Sequence, residues 1–262
     1  MPEPSPSAPR PVALVTGATR RIGRAIALEL ARAGHDVALH CHHDGDDAAP
    51  ALAELRALGV AAEPFVADLA DGGACEALVA AVAARCGRLD VLVNNASLFV
   101  HDDVASFAPA AMERHWRVNT AAPVLLARAL HAHLGARDAS GCVVNLLDQK
   151  LWNPNPDHFS YTLSKAALEA ATTMLALALA PRLRVAAVAP GVTLPSGPMS
   201  AAQFDRAQRM TPLGRASTPA DVARAVRFLV ESPAITGTTL LVDGGQHLAP
   251  QRRDVLFLAG AP

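Results

Sequence analysis

Seven short apolar runs alternate with six Ala- and Leu-rich stretches of helical length along this 262-residue chain. That alternation limits the fold more than any other feature. The runs are Pro11–Thr16, Asp36–Cys41, Val60–Ala67, Asp90–Asn94, Gly141–Leu147, Leu183–Ala189 and Thr239–Val242; the helical stretches are Ile22–Ala33, Ala48–Leu58, Gly73–Arg85, Ala110–His133, Phe159–Ala180 and Pro219–Val230. A strand in which nearly every residue is apolar has both faces buried, as in a parallel sheet covered by helices on its two sides. The pattern therefore predicts an α/β chain with one domain, built as a doubly wound parallel sheet with helices on both faces and right-handed crossovers. The domain is expected over 11–248, after a disordered Pro/Ser-rich tail over 1–10 and before a second tail over 249–262. Ser217 or Thr218, just before Pro219, predicts a helix N-cap. The Gly-, Pro- and Ser-rich stretch 190–212 is too long for an ordinary connection and reads as a mobile lid over a small-molecule substrate.

Charged residues make up 18% of the chain and the formal net charge is -1, which offers no electrostatic handle to nucleic acid or to an acidic membrane. The longest apolar candidate, Met174 to Ala180, stops at Pro181, far short of the roughly 18 residues of a membrane span. No apolar core of a signal peptide lies in the first residues. Cys41, Cys75, Cys86 and Cys142 have no metal-binding spacing, so no metal is expected, and reduced thiols suit a cytoplasmic location. Lys and Arg together number 23, yet lysine occurs only at Lys150 and Lys165, and tyrosine only at Tyr161. Against that Arg-biased background, these three positions stand out.

The first strand runs into Thr16-Gly17-Ala18-Thr19-Arg20-Arg21-Ile22-Gly23 and then into an amphipathic helix. In an open α/β sheet this first turn is where a dinucleotide sits, its glycines allowing close backbone approach and the helix N-terminus facing the pyrophosphate. Gly17, Arg20, Arg21, Ile22 and Gly23 are thus candidate cofactor residues, although an ordinary βα turn would share much of the pattern. The second strand ends His40-Cys41-His42-His43-Asp44. The acid that holds the adenosine ribose in NAD enzymes is missing at its tip, while Arg20, His42 and His43 could receive a 2′-phosphate, which favours NADPH, and His40 is a further candidate cofactor residue. Asp44 argues the other way. A metal reading of this cluster fails, because strand neighbours point to opposite faces. Asp68 could meet the adenine amino group or simply cap a turn.

Tyr161 and Lys165 stand four residues apart, a spacing that puts both side chains on one helix face. An ammonium near a phenol favours phenolate and lowers the phenol pKa toward neutrality. Together with Thr16-Gly17…Gly23, Asn94-Asn95-Ala96, Asn119 and Pro190-Gly191, this pair resembles the short-chain dehydrogenase/reductases over about residues 11–248. The resemblance implies a Rossmann-type fold, a homotetramer, and Tyr161 as proton donor. It also implies that Lys165 holds the nicotinamide ribose and that Asn119 anchors a relay water. Asn94, Ala96, Pro190 and Gly191 would join the cofactor site.

Three departures narrow the resemblance. The usual catalytic serine, thirteen residues before the tyrosine, is Asp148; the middle loop glycine is Arg21; and the glycine after Asn94-Asn95-Ala96 is Ser97, followed by Leu98 and Phe99. Together with Tyr161 and Lys165 they resemble the pteridine reductase branch, which includes dihydromonapterin and dihydropteridine reducers of folate metabolism. That resemblance implies a pterin stacked on Phe99. Arg21 and Ser97 would contact substrate and cofactor phosphates, and Asp148 would hydrogen-bond Tyr161. An aspartate beside a C=N bond can stabilise protonated nitrogen, which a serine cannot. The expected activity is NADPH-dependent reduction of dihydropterins or pterins. A carbonyl or 3-oxoacyl reductase of the wider family and a non-catalytic NADP-binding protein are the other readings.

Overall fold

The computed structural model describes residues 9–43, 48–195 and 199–259. Seven strands form one parallel sheet: β1 (Val12–Val15), β2 (Asp36–Cys41), β3 (Ala62–Val66), β4 (Val91–Asn94), β5 (Gly141–Leu146), β6 (Leu183–Pro190) and β7 (Thr239–Val242), in the order β3-β2-β1-β4-β5-β6-β7. Alternate residues of each strand feed separate cores. Ala13, Val15, Val91 and Val93 pack toward α1 (Arg21–Arg32), α2 (Ala49–Ala57) and, through Val222 and Val226, the helix Pro219–Glu231. Val12, Leu14 and Leu92 pack the other way, against Leu78 and Val79 of α3 (Gly72–Cys86) and against Leu126 and Leu130. Each fully buried leucine contributes about 1.5–3 kcal/mol. Two-sided burial is why these strands read as unbroken apolar runs.

The predicted helix over Ala110–His133 is three pieces: α4 (Pro109–Trp116), a π-helical turn (Arg117–Ala121) and α5 (Ala122–Ala136). A π turn inserts one extra residue into the helical repeat, and apolar periodicity alone does not reveal it. A 3₁₀ turn (Gln149–Trp152) and α6 (Phe159–Ala178) follow β5.

Two expectations need correcting. The stretch 190–212 is not irregular throughout, because it contains α7 (Ala201–Arg209), started by a capping box in which Ser200 accepts from the Gln203 N–H and Gln203 accepts from that of Ser200. Nor are the described residues of the expected second tail, 249–259, free of the domain. Residues 255–258 form a short helix, and Arg206 of α7 donates to the Ala259 carbonyl at 2.6 and 2.9 Å. Between these lies α8 (Pro219–Glu231), capped by Thr218 and its partner Asp221, as the Pro219 signal predicts. The helix 255–258 is α9 (Val255–Leu258). Most of the expected N-terminal tail, and Asp44, lie outside the described residues. Among the described residues no helix is long and apolar enough to cross a membrane, and no His, Cys, Asp or Glu cluster could hold a metal.

Candidate active site

The strand order reverses between β1 and β4, and at the carboxyl ends of those strands lie two adjoining cavities. The larger, about 560 Å³, is lined by Gly17, Arg20, Arg21, Ile22, Gly23, His40, His42, His43, Asp68, Ala96 and Ser97 of the expected set. Here α1 begins without a side-chain cap, so the N–H groups of its first turn are left to a ligand. Gly17 has φ +62°, and a Cβ on Gly23 would lie 2.3 Å from the Gly17 carbonyl oxygen. The loop is therefore a close backbone cradle, and with its bare helix end it fits a dinucleotide pyrophosphate.

Several side chains here also brace the loop, two of them, His40 and Asn95, from the cavity wall itself. His40, 1% exposed, accepts from the Gly17 N–H through Nδ1 at 3.1 Å, while its Nε2 lies 3.0 Å from the Ala67 carbonyl oxygen. Together these contacts match the neutral Nε2–H tautomer. Asn95 donates to the Thr16 and Gly17 carbonyls at 2.8 and 3.1 Å, and Thr16 Oγ1 accepts from the Asn95 and Ala96 N–H groups. Sequence reasoning passes over Asn95 and gives its neighbour Asn94 the cofactor role. Asn94 is buried, does not line the cavity, and donates to Asn145 at 2.8 Å. Asp68 accepts from the Ala70 N–H at 2.8 Å, as a turn cap does, and also lies on the cavity wall.

The smaller cavity, about 150 Å³, is lined by Phe99, Asp148, Tyr161 and Gly191 of the expected set, and Arg21 and Ile22 border both. Arg21 occupies the left-handed region at φ 54°, a conformation that suits the glycine it replaces, and its guanidinium donates to the Pro195 carbonyl at 3.0 Å. Pro190 is not on either wall. Phe99, 44% exposed, stacks one face on His158 at 4.2 Å and meets Tyr161 edge-on at 4.7 Å. His158 also sits in the left-handed region, at the residue preceding α6.

Tyr161 donates its hydroxyl proton to Asp148 Oδ2 at 2.9 Å, and Asp148 Oδ1 accepts from the Lys150 N–H at 2.9 Å. Lys165 lies on the same side of α6, its Nζ 5.9 Å from the Tyr161 ring centre, and donates to the Leu146 carbonyl at 2.6 Å. Burial, followed by the negative charge of Asp148, pushes the Tyr161 pKa well above its usual value. This corrects the expectation that Lys165 lowers it: the carboxylate touches the hydroxyl and the ammonium does not. Burial also pushes the Asp148 carboxyl up, against its two hydrogen bonds, and brings Lys165 down to about 8.

Asn119 lies inside the π turn. Its side chain donates to the Leu98 carbonyl and to Ser164 Oγ, both at 2.9 Å, and accepts from the Leu98 N–H at 2.8 Å and from Ser97 Oγ at 3.2 Å. It pins the segment leading to Phe99 onto α6. Sequence reasoning missed Lys150, His158 and Asp254 as cavity residues. Lys150 alone carried a signal, as one of two lysines.

This fold and this Tyr161–Lys165 arrangement define a short-chain oxidoreductase, and comparison with known proteins agrees. Residues 17–247 match a family model described as enoyl-(acyl carrier protein) reductase, and the chain belongs to the short-chain dehydrogenase/reductase family. Among solved structures it is similar to FolM alternative dihydrofolate reductase 1 from Brucella suis in complex with NADP, with 44% identity, a TM-score of 0.86, and 92% of this chain and 96% of that one covered. It is 34% identical to pteridine reductase 1 of Leishmania tarentolae, covering 93% of this chain and 98% of the relative. It is also 32% identical to a 3-oxoacyl-[acyl-carrier-protein] reductase of Staphylococcus aureus, covering 90% and 98%.

Proposed function

We propose that this oxidoreductase reduces dihydropterins to tetrahydropterins with NADPH. The observation that carries the reading is the Tyr161 hydroxyl held on the Asp148 carboxylate, at the position of the family's serine and beside the Phe99 ring. The Brucella and Leishmania relatives, named for dihydrofolate and pteridine reduction, support it.

The Gly17–Gly23 loop and the start of α1 would hold the pyrophosphate, Arg20, His42 and His43 the adenosine end, and Lys165 the nicotinamide ribose. NADPH, when bound, supplies the hydride. The protein's part is the proton. With its pKa raised, Tyr161 keeps its proton at neutral pH and acts as a donor to the ring nitrogen, not as a base. The phenolate left behind would face a carboxylate, so Asp148, itself raised by burial, takes up a proton and returns it to Tyr161. The negative charge of Asp148 favours a protonated C=N substrate and opposes the alkoxide that ketone reduction develops. Phe99 offers the heterocycle an aromatic wall.

The similarity to a 3-oxoacyl reductase favours ketone reduction as the second reading. Asp148→Ser separates the two. On the pterin reading, dihydropterin turnover falls at least about tenfold while ketone turnover holds or rises. Phe99→Ala should raise the pterin KM more than it changes NADPH affinity. A wild-type protein that reduces ketones and no pterin, with Asp148→Ser making no difference, establishes the second reading.

A further inference from the structure

The reading above gives Lys150 no task, yet this lysine is as buried as Lys165. It is 3% exposed, and its ammonium donates to the Asp157 carbonyl at 2.6 Å and to Asp254 Oδ2 at 3.1 Å. A buried ammonium is costly unless paired, and a compact one can serve a single carbonyl and a single carboxylate oxygen together. Asp157 grips the same segment from a second side. Its carboxylate accepts from Arg253 Nε at 2.8 and 3.0 Å and from the Asp254 N–H at 2.7 Å. Asp254 in turn caps α9 through the Leu256 N–H at 3.0 Å. The Arg253 guanidinium lies 4.7 Å over the Phe257 ring, which meets His101 at 5.2 Å. The residues tied down in this way, Asp254, Val255 and Leu256, line the small cavity with Asp148 and Tyr161. One lysine thus joins the loop bearing Asp148, the approach to α6 and a segment about a hundred residues further on.

We infer that Lys150 is a positioning residue that holds segment 253–258 in place as a wall of the substrate cavity, so that this segment sets which substrates fit against Tyr161. The inference rests on the small cavity being the substrate site, and does not require the substrate to be a pterin. The pair also acts on Asp148 electrostatically, with opposite signs: the Asp254 charge raises the Asp148 carboxyl and Lys150 lowers it. Among the described residues the other titratable or charged groups around Asp148 are Tyr161 and Lys165 on α6, and His158 and Arg21 on the cavity wall.

The test compares full-length wild type with Lys150→Met and Asp254→Asn, using whichever dihydropterin or ketone wild type reduces best. KM should rise at least about fivefold in each variant, with kcat within about threefold and NADPH Kd, read by fluorescence titration, within about twofold. The pKa that Asp148 contributes to the kcat/KM profile should move up in Lys150→Met and down in Asp254→Asn. A wall that was merely structural would cost melting temperature and leave this opposed pair of shifts absent. Asp254→Asn is nearly isosteric, so it carries the test alone if Lys150→Met does not fold. Unchanged KM in the folded variants overturns the inference, as does an Asp148 pKa that stays put or moves against the direction stated for the variant measured. Wild type that reduces only ketones removes the pterin reading and leaves this one standing.

Discussion

The two cavities adjoin at Arg21 and Ile22, yet they are made of different materials. The larger is built on backbone: a glycine cradle, the bare start of α1, and side chains such as His40 and Asn95 spent on holding that backbone. The smaller is built on buried ionisable groups whose proton affinities the protein has moved, with Tyr161 and Asp148 raised and Lys165 lowered to about 8. A region that only has to bind can rely on dipoles fixed by the fold. A region that has to move a proton needs groups whose charge is negotiable.

If this division is real, each side should be breakable without the other. Tyr161→Phe keeps the ring and removes the hydroxyl, so steady-state turnover should fall at least about a hundredfold while NADPH affinity stays within about twofold. Near-normal turnover would remove the phenol from the chemistry. Gly23→Ala should do the reverse. Its Cβ would press into the Gly17 carbonyl and, at 2.5 Å, the Asn95 amide, so the cradle must open. NADPH Kd should rise at least about tenfold, with kcat at saturating cofactor much less affected. A smaller contrast is expected between cofactors. The tip of β2 carries His40 and Cys41 and no acid, so kcat/KM should favour NADPH over NADH by about tenfold. An NADH preference would hand control to Asp44.

The smallest effect concerns stability. Unfolded Lys165 holds its proton up to a pH of about 10.5, whereas the folded chain gives it up near 8. Between these values unfolding takes up a proton, so raising the pH stabilises the fold through this group. In urea denaturation the advantage of wild type over Lys165→Met should therefore grow from pH 8 to pH 10. The buried thiols Cys75 and Cys142, raised to about 11, act in the opposite sense but in both proteins alike. A constant difference would mean that Lys165 stays charged in the fold.

Legibility in the sequence followed the same line. Strands such as Asp36–Cys41 and Thr239–Val242 could be read to the residue, because each is a short, largely apolar or β-branched run with turn residues at its ends, the first buried in the sheet and the second half-buried at its edge. Gly17, Gly23, Tyr161 and Lys165 were visible as residue types at fixed spacings. The sign of the Tyr161 shift was not, since it depends on Asp148 touching a hydroxyl that Lys165 does not reach. The bracing role of Asn95 was not visible, because neighbours at a strand end point to opposite sides, and nothing in Asn-Asn says which one faces the loop. The segment 253–258 gave no signal, because its role comes from two partners about a hundred residues away, Lys150 and Asp157.

The π turn at Arg117–Ala121 has a consequence for how this gene can change. One residue of an α-helix corresponds to about 100° of rotation, so the extra residue sets the phase between α4 and α5. Deleting it would heal the helix locally and improve its hydrogen bonding. It would also swing either the buried face of α5, with Leu126 and Leu130, or the four-bonded amide of Asn119 away from its partners. What the turn fixes is a length. A substitution at most of these five positions costs one side chain, whereas a single-codon deletion puts two otherwise sound halves of a helix out of step.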